Sequence, residues 1–186
     1  YNSRDIRNRP LSERKQILSK VIQRANQTSL TASPIIDAKS WEELKQRRTE
    51  SRARGVEGLM LKAINSVYET GRKRGYWWKW KVDPYTIDAV IIYAQAGSGR
   101  RANLFTDYTF AVWSDDTLVP IAKAYSGLNA KEIHHLDRWI RENTIERFGP
   151  VRSVPPKHVF EIGFEGITES KRHKSGFALR FPRILR

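Results

Sequence analysis

The C-terminal part of the chain contains five apolar-rich stretches, and their spacing constrains the fold more than any other feature. They follow Asp83-Pro84, a dipeptide that favours a joint between domains, and Ser114-Asp115-Asp116 between the second and third is a hairpin turn signal. Strand-length runs bounded by turn residues are typical of an antiparallel β domain. The five predicted strands are Thr86–Ala96, Leu104–Trp113, Leu118–Tyr125, His158–Ile167 and Phe177–Phe181.

One helical pattern interrupts these strands, between the third and the fourth. Residues Asn129–Phe148 predict a single helix with Asn129 as its N-cap, Glu132 at the capping-box position and Gly149-Pro150 as its terminator. Its predicted inner face is Ile133, Leu136 and Ile140. Three strands, a helix and two strands is the order of a five-stranded Greek-key barrel of the OB type. That fold commonly binds nucleic acid, but a fold alone does not establish a function.

The first 55 residues are predicted to be mainly helical. A first helix runs from Pro10-Leu11-Ser12 to about Gln27, and Ser33–Ile36 is a short extended piece, since Pro34 disfavours helix at Ser33. A second helix begins at the capping box of Ser40 and Glu43, with Gly55 as its terminator, and lies on the surface. The buried stripe expected on the first helix is Ile17, Leu18, Val21, Ile22 and Ala25.

After Gly55 the pattern changes to that of strands, at Glu57–Lys62 and Tyr76–Val82. Alternation in the second places Trp77, Lys79 and Lys81 on one face of the strand. Two lysines side by side on a strand backed by large aromatics would form a rigid positive platform. The alternative is a half-exposed strand with solvated lysines over a tryptophan core.

The charge of the chain points to an anionic partner. Its 186 residues carry 34 Lys and Arg against 20 Asp and Glu, a net charge of +14, of which +10 falls in residues 1–83 and +4 in 84–186. Such a field attracts polyanions, nucleic acid above all, although a merely solvated basic surface is the alternative. With no cysteine, a disulfide, a thiolate zinc site and a cysteine nucleophile are excluded, and a reducing, intracellular location is expected. No apolar run is long enough to span a bilayer, so no membrane partner is expected.

A glycine-rich segment, Gly97–Ala102, formally matches the dinucleotide-binding pattern G-x-G-x-x-A. That site needs a helix next, whereas the following residues alternate like a strand, so we reject a dinucleotide cofactor. A hairpin that carries Arg100 and Arg101 toward phosphate fits better, and a plain glycine turn with solvated arginines is the alternative.

Three segments in order resemble the nucleotidyltransferase superfamily, and most closely its ATP-dependent DNA ligases. Glu57–Lys62 (EGLMLK) is similar to the family's fourth signature, and Trp77–Lys81 (WWKWK) to its fifth at the expected distance. Leu179–Arg186 (LRFPRILR) is similar to the start of the sixth, and the upstream IRNRPLSERKQIL to the segment after the third. The resemblance covers essentially the whole chain. It implies an α+β protein in which 1–83 is the C-terminal portion of the nucleotidyltransferase (adenylation) domain and 84–186 is a five-stranded OB-fold β-barrel with one helix.

The resemblance also implies a chemistry and roles for particular residues. Such ligases use ATP and Mg²⁺ to seal nicks in duplex DNA through a lysyl-AMP and a DNA-adenylate, and fixed cations stabilise the charge that develops on the phosphates. By resemblance, Glu57 helps to hold the metal and Lys62 lines the nucleotide site, while Lys79 and Lys81 contact the α-phosphate. Arg180 and Arg183 would orient the ATP pyrophosphate when the OB domain closes, and Asp83 would be the hinge.

The sequence departs from the family in one respect that affects activity. The K-x-D-G element that supplies the nucleophilic lysine is absent, and the chain starts at Tyr1, so we expect it to lack the N-terminal part of the adenylation domain. We therefore expect this segment alone to be inactive in self-adenylation. Two other interpretations stay open: a non-catalytic OB-fold module that binds nucleic acid, and a nucleotidyltransferase of the RNA ligase or capping type.

Overall fold

A computed structural model describes all residues from Tyr1 to Arg186. The chain divides into two compact units, Tyr1–Val82 and Asp83–Arg186. No helix in either unit is both long and apolar enough to cross a membrane.

The first unit contains two helices and a hairpin. Helix α1 is Leu11–Ala25, helix α2 is Trp41–Thr49, and the antiparallel strands β1 and β2 are Gly58–Lys62 and Trp77–Lys81. These elements agree with the predicted ones to within a few residues, except that α2 ends well before Gly55. Ser33–Ile36 forms no strand, and Ile35 is 73% exposed.

The predicted buried stripe of α1 is wrong for most of its members. Ile17 and Ile22 are half-buried, whereas Leu18, Val21 and Ala25 are exposed. The only buried residue of the helix is Leu11, at its first turn. The periodicity is that of a packed helix, but within Tyr1–Val82 no element covers this face.

The second unit is built on a curled antiparallel sheet. Its main strands are β3 (Tyr85–Ala96), β4 (Phe105–Ser114), β5 (Thr117–Ala124), β8 (Val159–Phe164) and β11 (Arg183–Ile184), in the spatial order β11-β8-β3-β4-β5. The two edges meet because the Ile184 amide donates a hydrogen bond of 2.9 Å to the carbonyl oxygen of Ser126, just after β5. Gly127 permits this approach, since a Cβ there would overlap the Ile184 carbonyl oxygen. The predicted α+β class is confirmed: this unit has one helix and a curled antiparallel sheet with five strands along its main path.

Helix α3, Ala130–Glu142, packs against this sheet and fills its core. Asn129 and Glu132 form the predicted capping box, and the predicted inner face of Ile133, Leu136 and Ile140 is buried. These side chains join a core that also contains Ile91, Tyr108, Phe110, Ile162 and Ile184.

The end of α3 was predicted wrongly. The helix stops at Glu142 because the Asn143 amide and Thr144 hydroxyl donate side-chain hydrogen bonds of 2.9 and 2.7 Å to carbonyl groups of its last turn. The chain then forms two short antiparallel strands, β6 (Arg147–Phe148) and β7 (Val151–Ser153). Gly149-Pro150 is therefore the turn of this hairpin and not a helix terminator.

The last two predicted strands also differ from the structure. The region His158–Ile167 contains β8 and then a separate strand, β9 (Gly166–Glu169), and the fifth predicted strand is β10 (Phe177–Arg180). Strands β9 and β10 pair only with each other, whereas the strand that completes the curled sheet is β11. Two residues are too few to give an alternating pattern, so β11 was missed.

Candidate functional site

The predicted lysine platform lies on the hairpin of β1 and β2. The register pairs Lys62 with Trp77, Met60 with Lys79 and Gly58 with Lys81. Directly opposed residues of an antiparallel pair project to the same face. Lys62, Lys79 and Lys81 therefore share one face of the hairpin, which we call the lysine face.

The opposite face of the hairpin is supported by α2. The rings of Trp41 on α2 and Trp80 on β2 meet edge to face at 6.0 Å, and the Arg48 guanidinium lies 5.4 Å from the centre of the Trp80 ring. Arg48 also donates a hydrogen bond of 2.8 Å to the carbonyl oxygen of Lys81. These contacts fix the backbone of β2, so its lysines stand on a rigid strand.

The three lysines have different surroundings. The Lys62 ammonium lies 4.2 Å from the centre of the Trp77 ring, a cation–π contact. That ring is oriented by its indole N–H, which donates a hydrogen bond of 3.1 Å to the hydroxyl of the buried Ser66. Lys79 is exposed beside Met60, and Lys81 forms an ion pair with Glu57.

The ion pair is the closest polar contact of the lysine face. Lys81 Nζ lies 2.8 Å from Glu57 Oε2, and the two side chains are 36% and 32% exposed. Glu57 directly precedes β1, and its carbonyl oxygen accepts a hydrogen bond of 3.0 Å from the Val82 amide. The fourth and fifth signature-like segments, predicted from separate stretches of sequence, thus meet at this pair.

Gly58 makes this meeting possible, and sequence analysis missed its role. Its φ is +141°, and a Cβ there would overlap the Trp80 carbonyl oxygen and lie 2.7 Å from the Lys81 Cα. Only glycine allows the two backbones to approach so closely. The signal in the sequence is the glycine that directly follows the acidic residue of EGLMLK.

The other predicted site residues lie in the second unit. Arg183 pairs with the nearly buried carboxylate of Glu165 at 2.9 Å, and the Arg180 guanidinium lies 5.0 Å from the centre of the Phe181 ring. Asp83 is the first residue of this unit. Arg100 and Arg101 lie on a 3₁₀ turn, Gly99–Arg101, between β3 and β4, where a dinucleotide site would need an α-helix.

A second constellation, which the sequence did not predict, surrounds Asp137 on α3. This buried carboxylate accepts hydrogen bonds of 2.7 Å from Arg141 and 2.9 Å from the Phe105 amide. Burial by itself raises the pKa of Asp137, but these two hydrogen bonds outweigh it and hold the pKa below its ordinary value. Burial, followed by the charge of Asp137, raises the pKa of the neighbouring Tyr108 phenol above its usual range.

Comparison with known families matches nearly the whole chain. Residues 1–81 match the family model described as "ATP dependent DNA ligase domain". Residues 101–186 match the model described as "ATP dependent DNA ligase C terminal region".

Curated relatives are longer than this chain. A "Probable DNA ligase" of Koribacter versatilis is 47% identical over 154 residues, which cover 83% of this chain and 27% of the relative. A "DNA ligase" of Methanococcus aeolicus is 33% identical over 187 residues, covering 100% of this chain and 33% of the relative. The chain thus spans a third or less of these proteins.

Solved structures share the fold. One from a study titled "DNA binding with a minimal scaffold: Structure-function analysis of Lig E DNA ligases" has a TM-score of 0.68 at 19% identity, covering 96% of this chain and 58% of that one. Another, "Pmar-Lig_Pre.", has a TM-score of 0.65 at 18% identity, and the match covers 95% of this chain and 39% of that one. At this identity the likeness concerns the fold alone.

Proposed function

The chain belongs to the family of ATP-dependent DNA ligases, and from this premise we propose that it is the C-terminal part of an enzyme that seals nicks in duplex DNA. In this proposal, residues 1–83 complete an adenylation domain and 84–186 form the OB-fold domain. The nucleophilic lysine belongs to a segment outside these 186 residues, which contain no K-x-D-G element.

The observation that carries the proposal is the lysine face. Three ammonium groups and one carboxylate occupy neighbouring positions on a hairpin that α2 supports from behind. Residues two apart on a strand are separated by about 7 Å, so Lys79 and Lys81 can approach one phosphate group from two sides. Because both lysines stand on one strand whose backbone is held by α2, they can stabilise charge that develops on phosphate oxygens.

We assign the roles within this face from the resemblance to the family, and the contacts described above support them. Lys79 and Lys81 contact the α-phosphate of ATP. Lys62, held against Trp77 at 4.2 Å, lines the nucleotide site. Glu57 positions the Lys81 ammonium through their 2.8 Å contact and faces the same substrate.

Magnesium fits this site only if the phosphates of the bound nucleotide supply some of its ligands. No group of three or more His, Asp or Glu side chains gathers anywhere in residues 1–186 to form a protein cage. Mg²⁺ typically binds through one or two carboxylates, with phosphates and water as the other ligands, and Glu57 can supply one carboxylate. When bound, the metal would neutralise charge on the phosphates.

The second unit contributes residues to the same reaction. We propose that Arg180 and Arg183 orient the pyrophosphate of ATP, that Asp83 is the hinge, and that Arg100 and Arg101 contact DNA. Arg183 would need to exchange the Glu165 carboxylate, now 2.9 Å away, for phosphate.

Nick sealing by the longer parent protein tests the proposal. We expect Lys79→Ala and Lys81→Ala each to abolish sealing and to change the affinity for nicked DNA by less than about tenfold, since the change removes transition-state stabilisation rather than binding. Lys45→Ala, on the exposed surface of α2, is the matched control and should seal normally. Uniform loss of DNA binding with intact sealing chemistry would instead identify a binding module. Parallel nicks that contain RNA would reveal an RNA ligase.

A further inference from the structure

The ring of Trp77 is held by three contacts at the start of β2. The Lys62 ammonium lies 4.2 Å from the ring centre, and Lys62 is the directly opposed residue on β1. The indole N–H donates a hydrogen bond of 3.1 Å to the Ser66 hydroxyl, and the ring of Tyr68 meets the indole edge to face at 5.8 Å. Trp77 is 38% exposed, so these contacts, rather than complete burial, determine where its ring lies.

Ser66 is the fixed point of this arrangement. It is 2% exposed, although serine is mostly found at protein surfaces. Its amide donates a hydrogen bond of 3.0 Å to the carbonyl oxygen of Ala63, and its own carbonyl oxygen accepts one of 3.0 Å from the Arg14 guanidinium on α1. Arg14 also lies over the Tyr68 ring, 5.7 Å from its centre. The backbone and the side chain of Ser66 are therefore both engaged, and they join α1 to the end of β1 and the start of β2.

A fixed ring matters for Lys62 because a lysine side chain is otherwise mobile. Its flexible four-carbon stem has rotamer entropy that is lost when the ammonium binds a ligand. Contact with the ring restricts the stem beforehand, and the N–H groups of the ammonium that point away from the ring remain available as donors. The buried hydroxyl of Ser66 therefore acts on Lys62 through a single intermediate, the indole ring of Trp77.

We propose that Ser66 is a positioning residue of the nucleotide site, which places the Lys62 ammonium for ATP by orienting Trp77. The inference rests on the proposed function and deepens it, since Lys62 lines the nucleotide site in that proposal. Ser66 itself does not contact the substrate, because its hydroxyl accepts from the indole N–H and the residue is buried. It supplies no charge, so its removal should weaken ATP binding and leave the chemical step unchanged.

The first measurement locates the Lys62 side chain in the 186-residue chain by NMR. An aromatic ring shifts protons above its face upfield, so the ε-methylene protons of Lys62 should resonate upfield of their position in the urea-unfolded chain. Most of this displacement should be lost in Ser66→Ala, which removes the acceptor of the indole N–H. Ser19→Ala, on the exposed surface of α1, is the matched control and should keep the displacement. A Lys62 resonance that is the same in Ser66→Ala as in the wild type would overturn the inference.

The second measurement is the ATP dependence of self-adenylation by the longer parent protein. Lys62→Ala should raise the KM for ATP with little change in kcat, the pattern of an interaction made equally in the ground state and the transition state. Ser66→Ala, and Trp77→Phe, which keeps a ring but not its N–H, should raise the KM by about two- to fivefold, the loss of one exposed cation–π contact. In a Lys62→Ala background neither should raise the KM further, whereas a merely structural role would act in both backgrounds. Ser19→Ala should match the wild type.

The outcomes separate this inference from the proposed function. A raised KM in Lys62→Ala, with none in Ser66→Ala and Trp77→Phe, would overturn the inference and leave the role of Lys62 intact. Equal effects of Ser66→Ala with and without Lys62 would also overturn it, because Ser66 would then act on the fold alone. If Lys62→Ala leaves the KM unchanged, the inference fails together with the role proposed for Lys62.

Discussion

The ammonium of Lys81 lies 2.8 Å from the carboxylate of Glu57, across the end of the hairpin that the two signature-like segments form. The contact depends on Gly58, which lets the backbone of β1 pass against that of β2 at Lys81. Cation and carboxylate are thereby fixed relative to each other before a nucleotide arrives.

Replacing Gly58 with alanine should destabilise the first unit and disrupt the lysine face. The new Cβ would overlap the Trp80 carbonyl oxygen, and φ is +141°. We expect a loss of more than about 2 kcal/mol, measured by denaturant unfolding, because overlap adds to backbone strain of about 1–3 kcal/mol. Gly71→Ala is the control: its φ is +77° with no atom within 4 Å of the added Cβ. Equal losses in the two variants would show that the close approach does not matter.

The Glu57–Lys81 pair should show a small favourable coupling. In a double-mutant cycle with Glu57→Gln and Lys81→Gln, we expect about 0.5–1 kcal/mol, the range of partly exposed ion pairs. Pairing Glu57→Gln with Lys79→Gln should give a coupling near zero, since Lys79 is not the ion-pair partner of Glu57. A larger coupling with Lys79 than with Lys81 would contradict the geometry.

The Asp137 carboxylate should make the second unit sensitive to acid. Its folded-state pKa is lowered, so its stabilising contribution is complete above the ordinary value of 3.8 and is lost as the pH falls through the folded value. Asp137→Asn should cost about 1.5–3 kcal/mol at pH 7, the range for a hydrogen bond to a charged group, and this difference should shrink below about pH 4. Asp116→Asn, in the exposed β4–β5 turn, should show neither effect. A cost for Asp137→Asn that does not change between pH 7 and pH 3 would refute the role of its charge.

The 186-residue chain should not become covalently adenylated. It contains no K-x-D-G element, and its signature-like lysines are predicted to bind phosphate rather than attack it. Incubation with α-labelled ATP and Mg²⁺, followed by denaturing electrophoresis, should leave the protein band unlabelled. A stable labelled band after denaturation without acid, which would hydrolyse a phosphoamide bond, would contradict this.

Much of the fold could be predicted because it depends on local patterns. Each of three features is determined by no more than a dozen consecutive residues: the capping box of Asn129 and Glu132, the alternation of β2, and the apolar runs of β3 to β5. The errors arose where contacts between residues far apart in sequence decide whether a face is buried or a strand forms. Helical periodicity in α1 could not reveal that no partner covers Leu18 and Val21, and the two residues of β11 are defined by pairing with β8.

The candidate sites divide in the same way. Alternation alone placed Lys79 and Lys81 on one face, because side-chain direction along a strand is local. The need for glycine at position 58 depends on the partner strand. The contacts of the Phe105 ring with Arg141 and Arg152 join residues that are far apart in sequence, so no local pattern predicts them.

A crystal structure of the parent protein with bound ATP would test most directly the claim that the lysine face binds nucleotide phosphate. We predict that the ammonium groups of Lys79 and Lys81 lie about 2.8 Å from oxygens of the α-phosphate, the usual length of a charge-assisted hydrogen bond. A nucleotide bound elsewhere, with both ammonium groups turned into solvent, would contradict it.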